Sequence, residues 1–580
     1  MSEPSQNQHP AHIPWAAILR SNSPVFTDLP VIAFGLALFY SVVMLAHYWS
    51  GPLTPQVEIN LGASALPLYA FYSVLRISIA YFLSLVFTLV YGYVAAYNPR
   101  AERFMIPLLD ILQSIPVLSF LPGVMLAMVA LFPRRQLGLE LGAILLIFTG
   151  QVWNMAFSFY SSLKSIPHEM REAARLYRFS WWQRFTQMEL PFSVIGLVWN
   201  SMMSVAGGWF FLMACEMFVL GKRDFRLPGL GSYLQTAAST GNTPAILRGL
   251  GAMLAVIVLM DQLVWRPVIA WAQKFKFENV EAVDVPHSPI LNLIRRSRTL
   301  DFLSRKAVTP VLESISLRFA NTQPREASAP RRGVRPLLVI MGLAAAAGTA
   351  YALFDSATLL AKLEQSEWRA ILLGAGATFL RVSVSLLIGA LWTIPVGVAI
   401  GMRPKMARIA QPLAQIAASV PATALFPVVL LALIRVGGGL GIGSIVLILL
   451  GTQWYVLFNV IAGASAIPTE LKEVCSVFRF NRFERWRTLI LPAIFPYLIT
   501  GLVTASGGAW NASIVAEYFH LNEKTYSTTG LGAVISQATD SGNFHLLLGA
   551  TIFMAAVVVT VNRLLWRRLY GLAATRFRLE

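Results

Sequence analysis

Two arginines and two glutamates stand inside apolar runs of this chain. Arg76 and Arg381 lie in the runs 70–96 and 374–400, and Glu216 and Glu517 come late in the runs 192–220 and 493–518. An ionised side chain in lipid is costly unless it is paired or faces water. With the N-terminus cytoplasmic, both arginines fall in the outer half of the membrane and both glutamates, late in outward-running helices, reach similar depth, which points to the pairs Arg76–Glu216 and Arg381–Glu517. Such pairs can hold helices together, which is the simpler role, or an arginine can share its charge with a passing anion. Gly207-Gly208 and Gly507-Gly508 precede Trp209 and Trp510. Small residues permit close helix contact, and the two tryptophans are candidates to narrow a central path. Asp110 has Gln415 as its counterpart and is expected to cap or pair locally.

A second set of residues suits contact with a partner. The basic loop running from Arg171-Glu172-Ala173-Ala174 through Arg178-Phe179-Ser180 to Leu190-Pro191 returns as Lys472-Glu473-Val474-Cys475 through Arg479-Phe480-Asn481 to Leu491-Pro492, at an offset of 301. Ser180-Trp181-Trp182-Gln183 and Asn481-Arg482-Phe483-Glu484 both read as capping boxes, each opening a short helix. Pro167 suits the first turn of the preceding helix, and Pro191 and Pro492 are expected to restart the chain as a membrane helix. A short helix joined rigidly to a spanning helix can transmit a push.

Other chemistry is not legible. No Gly-x-x-x-x-Gly-Lys-Ser/Thr phosphate loop occurs, the scattered histidines lack metal-ligand spacing, and no nucleophile elbow is present. Cys215 and Cys475 are the only cysteines, too few for a disulfide framework or a cysteine metal site. We expect no catalytic site, no metal and no cofactor held by this chain.

The elements that position these residues are membrane helices. Of 580 residues, 56% are hydrophobic and 13% charged, which fits a polytopic membrane protein. The net charge of +18 is spread between apolar runs, which argues against nucleic acid and for basic loops retained on the cytoplasmic side. Apolar runs at 31–49, 70–96, 106–132, 139–162, 192–220 and 245–270, then 336–354, 374–400, 412–435, 440–462, 493–518 and 543–566, predict an all-α protein of about twelve transmembrane helices. With both termini cytoplasmic, that side holds roughly 32 of the 46 basic residues.

The duplication extends beyond the loops. Gln113-Ser114-Ile115-Pro116 matches Ala418-Ser419-Val420-Pro421 at an offset of 305, and Gly229-Leu230-Gly231 matches Gly530-Leu531-Gly532 at 301. An even number of spans per copy makes the repeats parallel. The expected organisation is a flexible cytoplasmic terminus at 1–30, a six-helix domain at 31–274, a basic linker at 275–335 and a second six-helix domain at 336–580. Within the linker, Leu291–Phe319 is either a basic amphipathic helix on the inner leaflet or a solvated tether.

The loops resemble the EAA signature of permease subunits in ABC importers. The first copy matches at Glu172, Ala173, Ala174, Met188, Leu190 and Pro191; the second keeps Glu473, Leu489, Leu491 and Pro492, with Val474 and Cys475 for the alanines. Both depart at the turn glycine, where Arg178 and Arg479 stand; glycine serves there because it enters the left-handed region cheaply. The Gln-Ser-Ile-Pro and Gly-Leu-Gly motifs, with the Trp209-to-Glu216 spacing, are similar to the nitrate, sulfonate, taurine and bicarbonate branch, tandemly duplicated here. The resemblance implies type I permease repeats in a bacterial inner membrane that dock on a separate ABC ATPase dimer through these loops. It also implies ATP and Mg on that ATPase, and a periplasmic or anchored binding protein that delivers a small anion. The rival readings are a twelve-helix secondary transporter and a non-transporting membrane scaffold.

Overall fold

The computed structural model describes residues 58–133, 136–220, 223–275, 291–292, 302, 305–306, 309–320, 347, 351, 354, 357–436, 439–465, 467, 469–521 and 524–576. The expectations for 1–30, for the run 31–49, for nearly all of the run 336–354 and for most of the linker lie outside the described residues. The side chains of Asp110 and Gln415 lie outside them too. The described residues fall into two compact units, one within 167–192 and 262–320, the other within 58–166, 193–261 and 347–576.

Among the described residues, 8 helices are long and apolar enough to cross a membrane: Ala63–Tyr97, Leu137–Lys164, Trp181–Cys215, Thr243–Ala272, Gln365–Gly401, Leu440–Ser465, Arg482–Ala516 and Phe544–Ala573. Two of the runs expected to be single continuous helices are broken. The run 106–132 is a helix Pro99–Ser114, a 3-10 turn Val117–Ser119 and a short helix Leu121–Leu131. The run 412–435 divides in the same way into Pro404–Ser419 and Ala422–Arg435. The residue before a proline is pushed out of the helical region. Ile115 before Pro116 is extended at φ −80, ψ 123, and Val420 before Pro421 at φ −72, ψ 116.

The chain is also not purely helical. The runs 192–220 and 493–518 leave the helix at Cys215 and Ala516. Two antiparallel hairpins follow, pairing Met217–Leu220 with Arg223–Arg226 and Tyr518–Leu521 with Lys524–Ser527. Each hairpin closes on its glutamate: Leu227 N–H donates to Glu216 O at 2.9 Å and Thr528 N–H to Glu517 O at 3.0 Å. Aromatic and β-branched residues such as Phe218, Val219, Tyr518 and Phe519 favour the extended backbone.

In the larger unit, Leu66–Tyr97 packs along Leu137–Lys164, and Leu440–Ser465 packs along both Gln365–Gly401 and Leu491–Ala516. Lipid tails are as apolar as these side chains, so helix association must come from close packing. A Cβ on Gly92 would meet the Phe159 ring at 2.7 Å, and one on Gly397 would meet Val460 Cγ1 at 2.8 Å. Val398, Val456, Val460, Ile494 and Ala505 form one buried cluster across three helices.

The smaller unit contains the helices His168–Leu176 and Trp181–Arg184, a π turn Phe185–Glu189, and the helices Arg266–Ala272 and Thr309–Ala320. Thr309–Ala320, from the linker, packs beside Trp181–Arg184.

Candidate functional site

Both loops are built the same way. The first helix of each ends in a residue in the left-handed region, Arg178 and Arg479, each at φ 50. The exit is a Schellman motif in both copies. Arg178 N–H donates to Arg175 O at 3.0 Å and Phe179 N–H to Ala174 O at 2.9 Å; Arg479 N–H donates to Ser476 O at 3.1 Å and Phe480 N–H to Cys475 O at 3.0 Å. The turn therefore keeps the glycine geometry without glycine. Apolar contact supports it in the second copy, where Cys475 is buried with Ile467, Leu489 and Ala493 and Phe480 packs against them. Both capping boxes form. Ser180 Oγ accepts from Gln183 N–H and Gln183 Oε1 from Ser180 N–H; Asn481 and Glu484 exchange the same two bonds, each at 2.8 Å.

The chain does not restart at the prolines. A π turn, Phe185–Glu189 or Trp486–Ile490, joins each capping-box helix to Leu190–Cys215 or Leu491–Ala516. Proline supplies no N–H and crowds the carbonyl four residues back; the wider π turn takes up that mismatch without ending the helix. Leu190 and Pro191, and Leu491 and Pro492, thus lie in a helix that continues from the π turn. Glu172 and Glu473 are exposed, Glu172 lying 3.3 Å from His168 Nδ1, whereas Ala174 is buried and Ala173 half-buried.

The charged residues of the spans meet in two clusters. Arg76 Nη1 donates to Glu216 Oε1 at 2.7 Å and to Pro228 O at 2.9 Å, while Nε and Nη2 each reach Glu140 at 2.6 Å. Glu216 also accepts from Ser73 Oγ at 2.6 Å and Gly231 N–H at 2.7 Å. In the second cluster Arg381 Nη1 donates to Glu517 Oε1 at 3.0 Å, and Glu517 accepts from Thr378 Oγ1 at 2.8 Å and Gly532 N–H at 2.9 Å. Buried charges are tolerable when paired and hydrogen-bonded in this manner. The Gly-Leu-Gly motif has a direct explanation here. A Cβ on Gly229 or Gly530 would overlap the glutamate carboxylate, and the second glycine of each motif donates its N–H to that carboxylate. Each glutamate thereby sits at the start of a helix, Leu230–Ser239 or Leu531–Ser541, where the helix dipole favours an anion.

A cavity of about 100 Å³ lies in the larger unit, lined by Gly207, Phe210, Trp454, Tyr455, Gly508 and Asn511 among others. Trp209 and Trp510 are 2% and 1% exposed and do not line the cavity; the residues next to them, Phe210 and Asn511, do. Of the glycines expected to serve packing, Gly208 does so against Gln151, while Gly207 and Gly508 line the space. Asn511 Oδ1 also accepts from Leu118 N–H at 3.4 Å, which ties the two repeats together at this level.

The family model for the binding-protein-dependent transport system inner membrane component matches the chain twice, at residues 88–261 and 393–578. This chain belongs to that family. Curated permeases are similar to it. The nitrate import permease of Leptolyngbya laminosa is 29% identical over 188 residues, covering 32% of this chain and 64% of the relative. The bicarbonate transport permease of Synechococcus elongatus is 27% identical over 187 residues, covering 32% and 64%. The taurine transport permease of Escherichia coli is 26% identical over 197 residues, covering 33% and 68%. The chain thus spans about 64% of the length of the nitrate permease it matches. The family match occurs twice, so the unit is duplicated in this chain, and the relatives it resembles carry nitrate, bicarbonate, sulfonate and taurine permease names.

Two features of this permease were not anticipated from its sequence. Glu140 had no motif to mark it and no acidic counterpart, since Gly441 stands at the matching position. The tips of the loops also expose apolar side chains: Leu176 is 82% and Tyr177 78% exposed, and at the offset of 301 Val477 is 76% and Phe478 69% exposed. The repeat itself was the signal for these pairs, because bulky apolar residues stand at the same place in both loops.

Proposed function

We propose that this chain forms the complete transmembrane pathway of an ATP-driven importer for a small anion, of the nitrate, bicarbonate, sulfonate or taurine class. Its two repeats act as parallel six-helix domains, about twelve helices in all, with both termini and both loops on the cytoplasmic side. The observation that carries this reading is the shared build of the loops: an exposed Glu172 or Glu473, an apolar tip, an arginine in the left-handed turn, and a π joint into a spanning helix. Such a tip suits a groove on a separate ATPase subunit, one loop to each subunit of a dimer that carries ATP and Mg. The continuous helix beyond the joint passes the resulting displacement towards the cavity, a two-state rigid-body motion biased by nucleotide. A periplasmic or anchored binding protein delivers the cargo. Arg76, fully enclosed by carboxylates, serves to hold helices together.

The test is co-purification with the ATPase and ATP-dependent uptake of the four anion classes into vesicles. Changing Glu172→Ala and Glu473→Ala together should cost ATPase binding or coupling. Full retention of both, or uptake that follows an ion gradient without ATP, overturns the reading.

A further inference from the structure

The two arginine clusters differ at one position. Glu140 lies in Gly138-Leu139-Glu140-Leu141-Gly142, and the second copy reads Gly439-Leu440-Gly441-Ile442-Gly443. In the first copy the Glu140 carboxylate takes the Nε–Nη2 edge of Arg76 in a bidentate grip, both bonds at 2.6 Å. In the second, Arg381 keeps its contacts to Glu517 and Thr529 O through Nη1, and Nη2 donates to Thr528 Oγ1 at 2.9 Å. Among the described residues its Nε–H has no partner. The Arg381 side chain is 14% exposed, against 2% for Arg76. Among the described residues the space is open as well, because a Cβ on Gly441 would meet only Thr528 Oγ1 there, at 3.9 Å.

We propose that the Nε–Nη2 edge of Arg381, flanked by Thr528 and Gly441, binds one small oxyanion in the place that Glu140 fills in the first copy. The guanidinium fork matches a planar group with two oxygens side by side, as in a carboxylate, nitrate or bicarbonate. Charge points the same way: among the described residues Arg76 faces two carboxylates and Arg381 one, so the described second cluster has one carboxylate fewer than the first. The first copy shows that this fold accepts a bidentate anion at that edge. The site rests on the importer reading only for which anion visits it, because binding is measurable without transport. The anion comes either from solution or from the headgroup of a surrounding lipid.

The experiment uses the full chain purified in detergent, titrated with sodium nitrate against sodium chloride at matched ionic strength, with thermal unfolding and calorimetry as readouts. Wild type and Gly441→Ala, which leaves the edge open, should bind nitrate saturably. Gly441→Glu, which supplies a tethered carboxylate, and Arg381→Lys, which removes the fork, should bind it at least about tenfold more weakly. Gly441→Glu should unfold no earlier than wild type without nitrate, showing that it is folded. A lipid source is shown if wild type carries a phospholipid in native mass spectrometry that Gly441→Glu lacks. Equal occupancy in wild type and Gly441→Glu, or no anion and no lipid bound to wild type, overturns the proposal. Nitrate binding without ATP-driven uptake would instead count against the importer reading and leave this site standing.

Discussion

Arg178 and Arg479 adopt the same left-handed conformation, φ 50, and among the described residues no other non-glycine position has a positive φ. A side chain pays on the order of 1 kcal/mol or more to stand there. Its retention in both copies, at the apex of an exposed loop, places a guanidinium beside the apolar tip at that cost. Replacing Arg479 with glycine should raise the unfolding midpoint slightly, since glycine removes the strain, while Arg479→Val should lower it by a larger amount because a β-branched residue resists this region. Thermal unfolding of the three proteins in detergent checks the order; a valine variant as stable as glycine contradicts the turn geometry.

Cys475 closes the second Schellman turn from inside, with 4% of its surface exposed, and Cys215 is fully buried. A buried free cysteine behaves as a small hydrophobe. The native protein should therefore resist a maleimide reagent, and the denatured chain should take up two equivalents. Cys475→Ala should be well tolerated, as alanine holds that place in the first loop. Rapid labelling of the native protein would show that the Cys475–Leu489 contact does not hold.

The clusters around Arg76 and Arg381 should respond unequally to the same change. Arg76→Met leaves two buried carboxylates, Glu140 and Glu216, without their arginine, whereas Arg381→Met leaves only Glu517; Glu216 keeps its bonds from Ser73 and Gly231, as Glu517 keeps those from Thr378 and Gly532. Removing one member of a buried pair costs about 3–5 kcal/mol, and the first variant should sit at or above that range and the second below it. Arg76→Met combined with Glu140→Gln should recover part of the loss. Equal destabilisation by the two arginine variants would mean that Glu140 contributes nothing to the first cluster.

The contrast between these clusters also shows how far residue types alone could lead. Arg76 with Glu216, and Arg381 with Glu517, were legible because an ionised group in an apolar run demands a partner, and the repeat offered the same partner twice. Glu140 was hidden because it stands near the end of a span, where a carboxylate needs no explanation. The long helices were legible from apolar length. The breaks at Ile115 and Val420 are masked in the sequence, although each precedes a proline, because the hydropathy of the run continues across the bend. The hairpins after Glu216 and Glu517 were missed for a related reason: an apolar segment reads alike as the end of a helix or the start of a strand. The left-handed arginines were hardest to foresee, since only the loop's hydrogen bonds, and not the residue's preference, impose that conformation.

Glu102 provides a test by pH. Its carboxylate accepts from Lys164 Nζ at 2.8 Å and from Tyr160 Oη at 2.5 Å, and the Lys164 hydrogen bond, followed by that of Tyr160, holds its pKa below the ordinary value. A group whose pKa is depressed by folding contributes stability above its unfolded pKa and loses it as pH falls through the folded value. Wild type should therefore be more stable than Glu102→Gln at neutral pH. The difference should shrink once the pH drops below about 4.3, the range in which a free glutamate takes up its proton. The partners are partly exposed, so the gap should be small and should narrow further in high salt. Melting curves of the two proteins across that pH range measure it; a gap that is constant with pH, or that widens in acid, rules out an ionised Glu102 as the cause.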